Sequence, residues 1–203
     1  DPFRLRVESD LQGISSDLPY PLNKPVDGTD VLNVEIRFPE RGVIDVQGKL
    51  ERGFNFALDV RDVDEGWRLT RGSIVSGAEK AVLPDSDGVR VSGFLDRVNL
   101  SEWISSFEGS DTREQPAASD DYRPWQSLFS RADLQIEEFD MLGFRFADVD
   151  LGVDFDKQAW DVDVASPWVE GRLRVPYDFT GSDPLEFELQ RLFLLEPLDD
   201  VAG

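Results

Sequence analysis

Carboxylates are the only abundant side chains in this sequence that could carry out acid–base or metal chemistry. Asp and Glu number 42 among 203 residues, against 21 Lys and Arg. Several stand in close pairs: Asp133/Glu137, Asp148/Asp150, Asp154/Asp156 and Asp161/Asp163. A glycosidase needs two carboxyl groups about 5 to 10 Å apart, so glycoside hydrolysis is one activity that such pairs allow. Among so many acids, however, pairs of this spacing arise by chance.

The same acids do not form a recognisable cation site. Neither the stretch from Asp59 to Glu65 nor any of the pairs matches the twelve-residue calcium loop, with its central glycine and terminal glutamate. Solvated faces of half-buried strands explain alternating acids better. We therefore predict no metal site and no catalytic acid pair.

Nucleophilic chemistry lacks its usual residues. The chain has no histidine, no cysteine and no GxSxG stretch, and its glycines are scattered singly rather than gathered in a phosphate loop. Its five tryptophans are placed for core packing rather than for stacking on sugars: Trp67, Trp103, Trp125, Trp160 and Trp168. The sequence predicts no catalytic residue, no cofactor and no enzymatic activity.

The net charge of −21 limits the partners. A nucleic-acid backbone or an anionic bilayer surface would be repelled by such a field, so we predict no nucleic-acid partner. No run of 18 apolar residues occurs, and the chain begins at Asp1 with Met141 as its single methionine. We expect an internal fragment of a longer protein, and if that protein has a membrane anchor, the anchor lies outside this fragment.

Alternation of apolar and charged residues is the main structural pattern, and it is clearest from Arg131 to Val175. Side chains of a strand point to opposite faces in turn, so this period predicts sheets with one apolar and one acidic face. Turns about ten residues apart indicate an antiparallel meander. The predicted fold class is mainly β: an antiparallel, curved meander sheet, open like a trough or closed like a sandwich, with one short amphipathic helix.

The order of the elements suggests two sheet modules. Residues 1–107 form the first, ending in a helix at 100–107, where Leu100, Trp103, Ile104 and Phe107 share one face. Residues 108–128 are rich in Gly, Ser, Asp and Pro and are predicted to be an exposed linker loop. Residues 129–203 form the second module, continuous with the first.

Three local features complete the prediction. Residues 13–30 are expected to form a loop because of their prolines, and residues 78–83 a strand. Between Phe146 and Val149 the apolar residues change parity, which predicts a β-bulge near Ala147 and Asp148.

Several phrases of this sequence resemble the YhdP-type members of the AsmA-like proteins of Gram-negative envelopes. They are GISSDLPYPLNKP at Gly13–Pro25, VSGFLDRVNLSEW at Val91–Trp103, LGFRFADVDLGV at Leu142–Val153, VASPWVEGRLRVP at Val164–Pro176 and PLEFELQRLFL at Pro184–Leu194. The matches span most of the chain, and their order and spacing make the resemblance fairly specific.

The resemblance implies a segment of a long periplasmic protein, anchored in the inner membrane, whose curved sheet carries phospholipid between the inner and outer membranes. Its partners would be phospholipid acyl chains and other envelope proteins. Acyl chains need a dry, nonspecific surface, which alternating strands supply on one face. The candidate groove residues are Ile136, Phe144, Phe146, Leu151, Val153, Trp160, Val162, Phe187 and Leu189.

Two other functions stay open on the sequence alone. The chain could be a closed β structural or interaction module that spaces or docks partners through exposed strand edges, without lipid. The acid-pair glycosidase is the third hypothesis. The curvature of the sheet, open or closed, is the observation that best separates the first two.

Overall fold

A computed structural model describes residues 3–63, 66–108, 128–141, 143–155, 159–176 and 186–193, apart from the side chains of Ile104, Phe107, Glu108, Val175, Pro176 and Phe187. The predicted linker at 108–128 lies almost entirely outside these residues. The strands are β1 Phe3–Ser9, β2 Leu32–Phe38, β3 Val43–Leu50, β4 Phe54–Val63, β5 Gly66–Ser76, β6 Gly88–Asn99, β7 Phe129–Met141, β8 Phe144–Phe155, β9 Ala159–Ala165, β10 Val169–Pro176 and β11 Glu186–Leu192.

All eleven strands belong to one sheet, and their spatial order is their order in the chain. Extensive contacts among the described elements join only neighbouring strands, and helix α1 to β7. No described strand is stacked on another, and no described strand pairs with the outer side of β1 or of β11. The predicted mainly β fold is confirmed, and of the two forms left open it is the open sheet.

Two of the ten joins depart from a pure meander. β5 pairs with β6 and β6 with β7 in parallel, while the other joins are antiparallel. A parallel join requires the chain to return along the strand that it has just left. Residues 77–87 make this return between β5 and β6, so the strand predicted at 78–83 is wrong. The return passes over β5, where the Arg71 Nη1 donates to the carbonyl of Pro84 at 3.2 Å.

The predicted helix is confirmed as α1 Leu100–Glu108. The Asn99 Oδ1 accepts from the backbone N–H groups of Ser101 and Glu102, at 3.1 and 3.3 Å. The Asn99 side-chain amide in turn donates to the Glu102 carboxylate at 3.0 Å. These bonds satisfy N–H groups that have no partner within the first turn, so the helix begins directly where β6 ends.

A long connection between β1 and β2, residues 10–31, is here called the strap. Lys24 is buried within it, and its Nζ donates to the carbonyls of Ile14 and Gly28, each at 2.7 Å, and of Pro25 at 3.2 Å. The strap crosses the ends of the neighbouring strands, since Arg52, between β3 and β4, donates to the carbonyls of Pro21 and Asn23. The loop predicted at 13–30 is thus ordered around one cation.

The far end of the strap reaches the helix. The indole Nε1 of Trp103 donates to the carbonyl of Tyr20 at 3.3 Å, and the Tyr20 hydroxyl donates to the Asp96 carboxylate at 3.1 Å. Partial burial, together with the neighbouring carboxylate of Asp96, raises the pKa of Tyr20. Strap and helix therefore form a continuous border along one end of the strands.

Candidate functional site

The register of the ten joins places most apolar residues of the eleven strands on one side of the sheet, here called the apolar face. Residues paired across a join point to the same side, so each pair transfers the assignment to the next strand. Representative members in strand order are Val7, Val34, Val46, Leu58, Ile74, Val91, Ile136, Leu151, Val162, Leu173 and Leu189. The opposite side is the charged face.

The predicted groove residues with described side chains all lie on the apolar face, but at different depths. Ile136, Phe146 and Val153 are buried, with at most 9% of their surface exposed. Phe144, Leu151, Trp160 and Val162 are half-buried, and Leu189 is 47% exposed. The backbone of Phe187 pairs with that of Leu173 in β11. A ligand on this face would meet the half-buried and exposed residues first.

Burial on this face is deepest over β7 and β8, although no described strand lies over them. Ile136, Phe139, Phe146, Val149 and Val169 form one buried cluster. Leu100, the first residue of α1, packs against this cluster, so the helix lies on the apolar side. The cluster is a local floor, and the rest of the apolar face remains partly open.

A break in the alternation of three neighbouring strands makes this cluster possible. On β6, β7 and β8 the alternation breaks together, and Asp96, Glu137 and Asp148 are skipped in the pairing. The pairs on either side, such as Ile136 with Val149 and Phe139 with Phe146, therefore all contribute to the same cluster. Asp148 adopts a left-handed backbone with φ of 54°. We call Asp96, Glu137 and Asp148 the slipped row.

The irregularity lies where the sequence predicted a β-bulge, but it is not a bulge. A bulge places two residues opposite one and shifts the register, whereas the register of β7 and β8 is the same before and after the slipped row. Three neighbouring strands change parity in concert. The apolar face therefore continues to the ends of these strands, where Met141 and Phe144 pair.

An ion cluster on the charged face ties the three strands together beyond the slipped row. The Asp140 carboxylate accepts from Arg97 at 2.6 Å on β6 and from Arg145 at 2.7 Å on β8. Asp140 is only 5% exposed. Hydrogen bonds from Arg145 outweigh the effect of burial and hold the pKa of Asp140 below its usual value, so the carboxylate stays ionised between its two arginines.

Several of the acids that suggested chemistry are engaged in ion pairs on the charged face. Asp133 and Asp154 both pair with Arg131, at 2.7 and 2.9 Å, while Asp163 pairs with Arg172 at 2.9 Å. Asp161 likewise pairs with Arg174 at 2.6 Å. Within the described part of the chain, no group of three or more potential metal-ligating side chains occurs. These contacts favour the solvated-face interpretation over a glycosidase or a calcium site.

The charged face is not flat over β5 to β11. A broad hollow of about 840 Å³ lies there. Its lining on the charged face includes Ser92, Phe94, Asp133, Gln135, Asp150, Asp163 and Arg172. A twisted sheet is saddle-shaped and so is concave along one diagonal on each side. Most of its lining side chains belong to the charged face, although Leu134, Leu151 and Val164 also border the hollow.

The first half of the sheet carries apolar surface that the candidate list omitted. Phe3, Leu5 and Val7 on β1 are 69%, 44% and 41% exposed. They show the same alternation as the selected residues, so the pattern was present in the sequence. Their position on an edge strand, beyond which no described strand pairs, could not be predicted from the sequence.

Comparison with known proteins identifies the family of this chain. A family model described as YhdP protein matches residues 1–202. The chain belongs to the YhdP family. No curated protein and no solved structure matches it.

YhdP family phrases correspond to distinct structural features in this chain. The phrase at Gly13–Pro25 forms most of the strap and ends beside its buried Lys24, and the phrase at Val91–Trp103 spans β6 and the capped start of α1. The phrase at Leu142–Val153 contains the left-handed Asp148 of the slipped row. None of the helices that the structure describes has the length and apolarity needed to cross a bilayer.

Proposed function

We propose that this chain is a non-enzymatic segment of an envelope lipid-transfer protein, whose apolar face carries phospholipid acyl chains between the inner and outer membranes. The observation that carries the proposal is one open sheet whose apolar side runs over all eleven strands. Membership of the YhdP family supports it. In this proposal the segment lies in the periplasm, and the inner-membrane anchor belongs to another part of the protein.

The apolar face suits acyl chains in a simple physical way. Burial of each CH₂ group is worth about 0.8 kcal/mol and needs no hydrogen-bond partner. Because the apolar surface repeats from strand to strand, an acyl chain can bind at successive positions along the sheet with nearly equal free energy. We assign direct contact to Leu151, Trp160, Val162 and Leu189, and assign Ile136 and Phe146 to the supporting floor because each is at most 2% exposed.

A photo-crosslinking experiment tests the proposal on two adjacent residues of β9. Val162 points to the apolar face, whereas Asp163 points to the charged face. A photoreactive amino acid at position 162 should become linked to phospholipid in intact cells, and the same group at position 163 should not. Mass spectrometry of the adducts identifies the lipid.

The matched position separates lipid carriage from its main competitor. An interaction module that docks partners without lipid predicts protein adducts, or none, at position 162. Equal labelling at both positions would indicate unspecific exposure to membranes and would contradict the proposal. The described sheet is open, so the closed form of that competitor has no support in the fold.

A further inference from the structure

The two ends of the strands differ on the apolar face. At one end, where β6 and β7 end and β8 begins, lie α1 and the part of the strap that contacts it. We call this the strap end. Phe139 and Phe146 are at most 3% exposed there, and Leu100 of α1 packs against their cluster. The protein itself therefore covers much of the apolar surface at the strap end.

Aromatic residues mark the opposite end of the same face, here called the aromatic end. β2 and β8 end there, whereas β5, β7 and β9 begin there. On each of these strands the aromatic residue nearest this end lies on the apolar face: Phe38, Trp67, Phe129, Phe155 and Trp160. Trp67 is 56% exposed and Phe38 37%. The rings of Phe155 and Trp160 are half-buried, with centroids 5.8 Å apart.

Such a row of aromatic residues has a physical meaning beside lipid. In membrane proteins, aromatic residues form girdles at the level of the lipid headgroups. Tryptophan suits this level because its ring is apolar while its N–H group is polar. The row on the apolar face therefore indicates the level at which a bound lipid changes from acyl chain to headgroup.

The charges of the two ends favour the same orientation. The strap carries four acids and one lysine, and the ammonium group of that Lys24 already donates to three carbonyls. The aromatic end carries exposed charges of both signs: Glu40, Arg41, Asp62 and Arg68. A phosphate group is repelled by the carboxylates of the strap, whereas guanidinium groups at the aromatic end can bind it.

The strands are long enough to hold an acyl chain along their length. β8 has 12 residues, which span about 40 Å at about 3.3 Å per residue. The acyl chains of one leaflet occupy about half of the roughly 30 Å hydrocarbon core of a bilayer. A chain that begins at the aromatic end of β8 therefore ends on this strand before or beside α1.

We infer that phospholipid lies along the strands of the apolar face, with its headgroup at the aromatic end and the ends of its acyl chains directed towards the strap end. Trp67 and Trp160 are then positioning residues that lie beside the glycerol and ester groups. This inference rests on the proposed function, because it requires a bound phospholipid, and it adds the orientation of that lipid.

Two photoreactive phosphatidylcholines test the inference on the unchanged chain. One carries a diazirine in the headgroup, and the other carries it at the methyl end of an acyl chain. The chain is loaded from phosphatidylcholine vesicles that contain either probe, separated from the vesicles by centrifugation and illuminated. Mass spectrometry then maps the modified peptides. The headgroup probe should label residues 38–42 and 66–68, whereas the chain-end probe should label α1 and the start of β8.

The two maps distinguish failure of the orientation from failure of lipid binding. A reversed map, or equal labelling of both ends by both probes, would overturn the inferred orientation while lipid binding stands. If neither probe labels the apolar face, the proposed function is wrong and the inference falls with it.

A matched pair of variants tests the aromatic row directly. Trp67→Ser should reduce labelling of residues 38–42 and 66–68 by the headgroup probe several-fold, because it removes an exposed ring from the aromatic end. Phe94→Ser removes a ring that is 46% exposed on the charged face, and it should leave the map unchanged. Equal effects of the two variants would contradict a positioning role for the aromatic end.

Discussion

At the scale of single residues, a few buried ions determine local structure. Asp59 on β4 is 1% exposed and accepts hydrogen bonds from Arg61 at 2.8 Å, Thr70 at 2.8 Å and Arg71 at 3.1 Å. The hydrogen bonds from Arg61, followed by those from Thr70 and Arg71, outweigh burial and lower the pKa of Asp59 well below its ordinary value of 3.8. The ionised carboxylate is therefore the form that the folded protein stabilises.

We predict that Asp59→Asn lowers the free energy of unfolding at neutral pH by about 2 kcal/mol, since it removes charged hydrogen bonds from a buried site. Because the folded pKa lies below the unfolded one, this stabilisation is present above 3.8 and is lost as the pH falls towards the folded pKa. Urea unfolding at several pH values should show the two proteins converging in acid.

Asp133→Asn is the control for this prediction. Asp133 pairs with Arg131, but both side chains are about half exposed. An exposed pair contributes only about 0.2 to 1 kcal/mol, so this variant should change little at any pH. Equal losses in the two variants would show that the burial of Asp59 is not what makes its pair strong.

Lys24 gives a second prediction at this scale. Replacement by Met removes the ammonium group that donates to three carbonyls of the strap, while most of the aliphatic part of the side chain is kept. Hydrogen exchange should accelerate at the strap amides of Gly13 and Ser16, which bond to Val26 and Lys24, because the strap loses its centre. Amides of β7 and β8 should stay protected, and accelerated exchange there would contradict a local role.

At the scale of elements, the slipped row is the feature that shapes the apolar face. It allows β6, β7 and β8 to keep apolar residues on one side beyond the break, and the Asp140 cluster holds the three strands there. A left-handed backbone at Asp148 is the cost, because an L-residue with a Cβ is disfavoured there while glycine is not.

Glycine substitutions two residues apart should therefore have opposite effects. Asp148→Gly should keep or raise the free energy of unfolding, by up to about 1 kcal/mol, because glycine adopts positive φ without strain. Asp150→Gly, in the regular part of β8, should lower it by about 0.5 to 1 kcal/mol. Thermal or urea unfolding measures both, and each removes one negative charge. A loss at position 148 would mean that the Asp side chain itself stabilises the row.

The sequence predicted these elements as far as local patterns extend. Alternation located strands and the parity change at Phe146 and Val149, and the helical spacing of Leu100, Trp103, Ile104 and Phe107 located α1. It could not exclude a strand at 78–83, because what excludes it is the parallel pairing of β5 with β6, a long-range choice. Nor could it show that Leu95/Val98 and Ile136/Phe139 slip together with β8, since only the pairing aligns them.

At the scale of the whole molecule, no described strand forms a second layer over the sheet, so a ligand bound to the exposed apolar surface would stabilise the fold. The candidate residues with described side chains share one face of the sheet because parity alone assigns the face, and their contact with lipid stays a prediction. The burial of each candidate could not be predicted. Ile136 is buried in the cluster against which α1 packs, whereas Leu189 is exposed on the edge strand β11. No local sequence pattern encodes either arrangement.

Bound lipid should therefore stabilise the fold. We predict that the delipidated chain melts at a lower temperature and that added phospholipid restores the Tm. At a phospholipid concentration one hundred times Kd, the added stability should be about 2.7 kcal/mol. Leu189→Asp should reduce this gain, because it places a charge on the apolar face. Differential scanning calorimetry with and without phospholipid measures the difference. Gln190→Asp adds the same charge at the next residue and should keep the gain; no gain in the unchanged chain would contradict lipid binding.

The neighbour-only contacts of the sheet have a consequence for its cooperativity. Since each strand depends mainly on the two beside it, stability is close to a sum of pairwise joins, as in repeat proteins. Opening one join need not unfold the strands on either side. A pair of strands can be gained or lost without a redesign of distant packing, so the length of such a sheet is free to change independently of its cross-section.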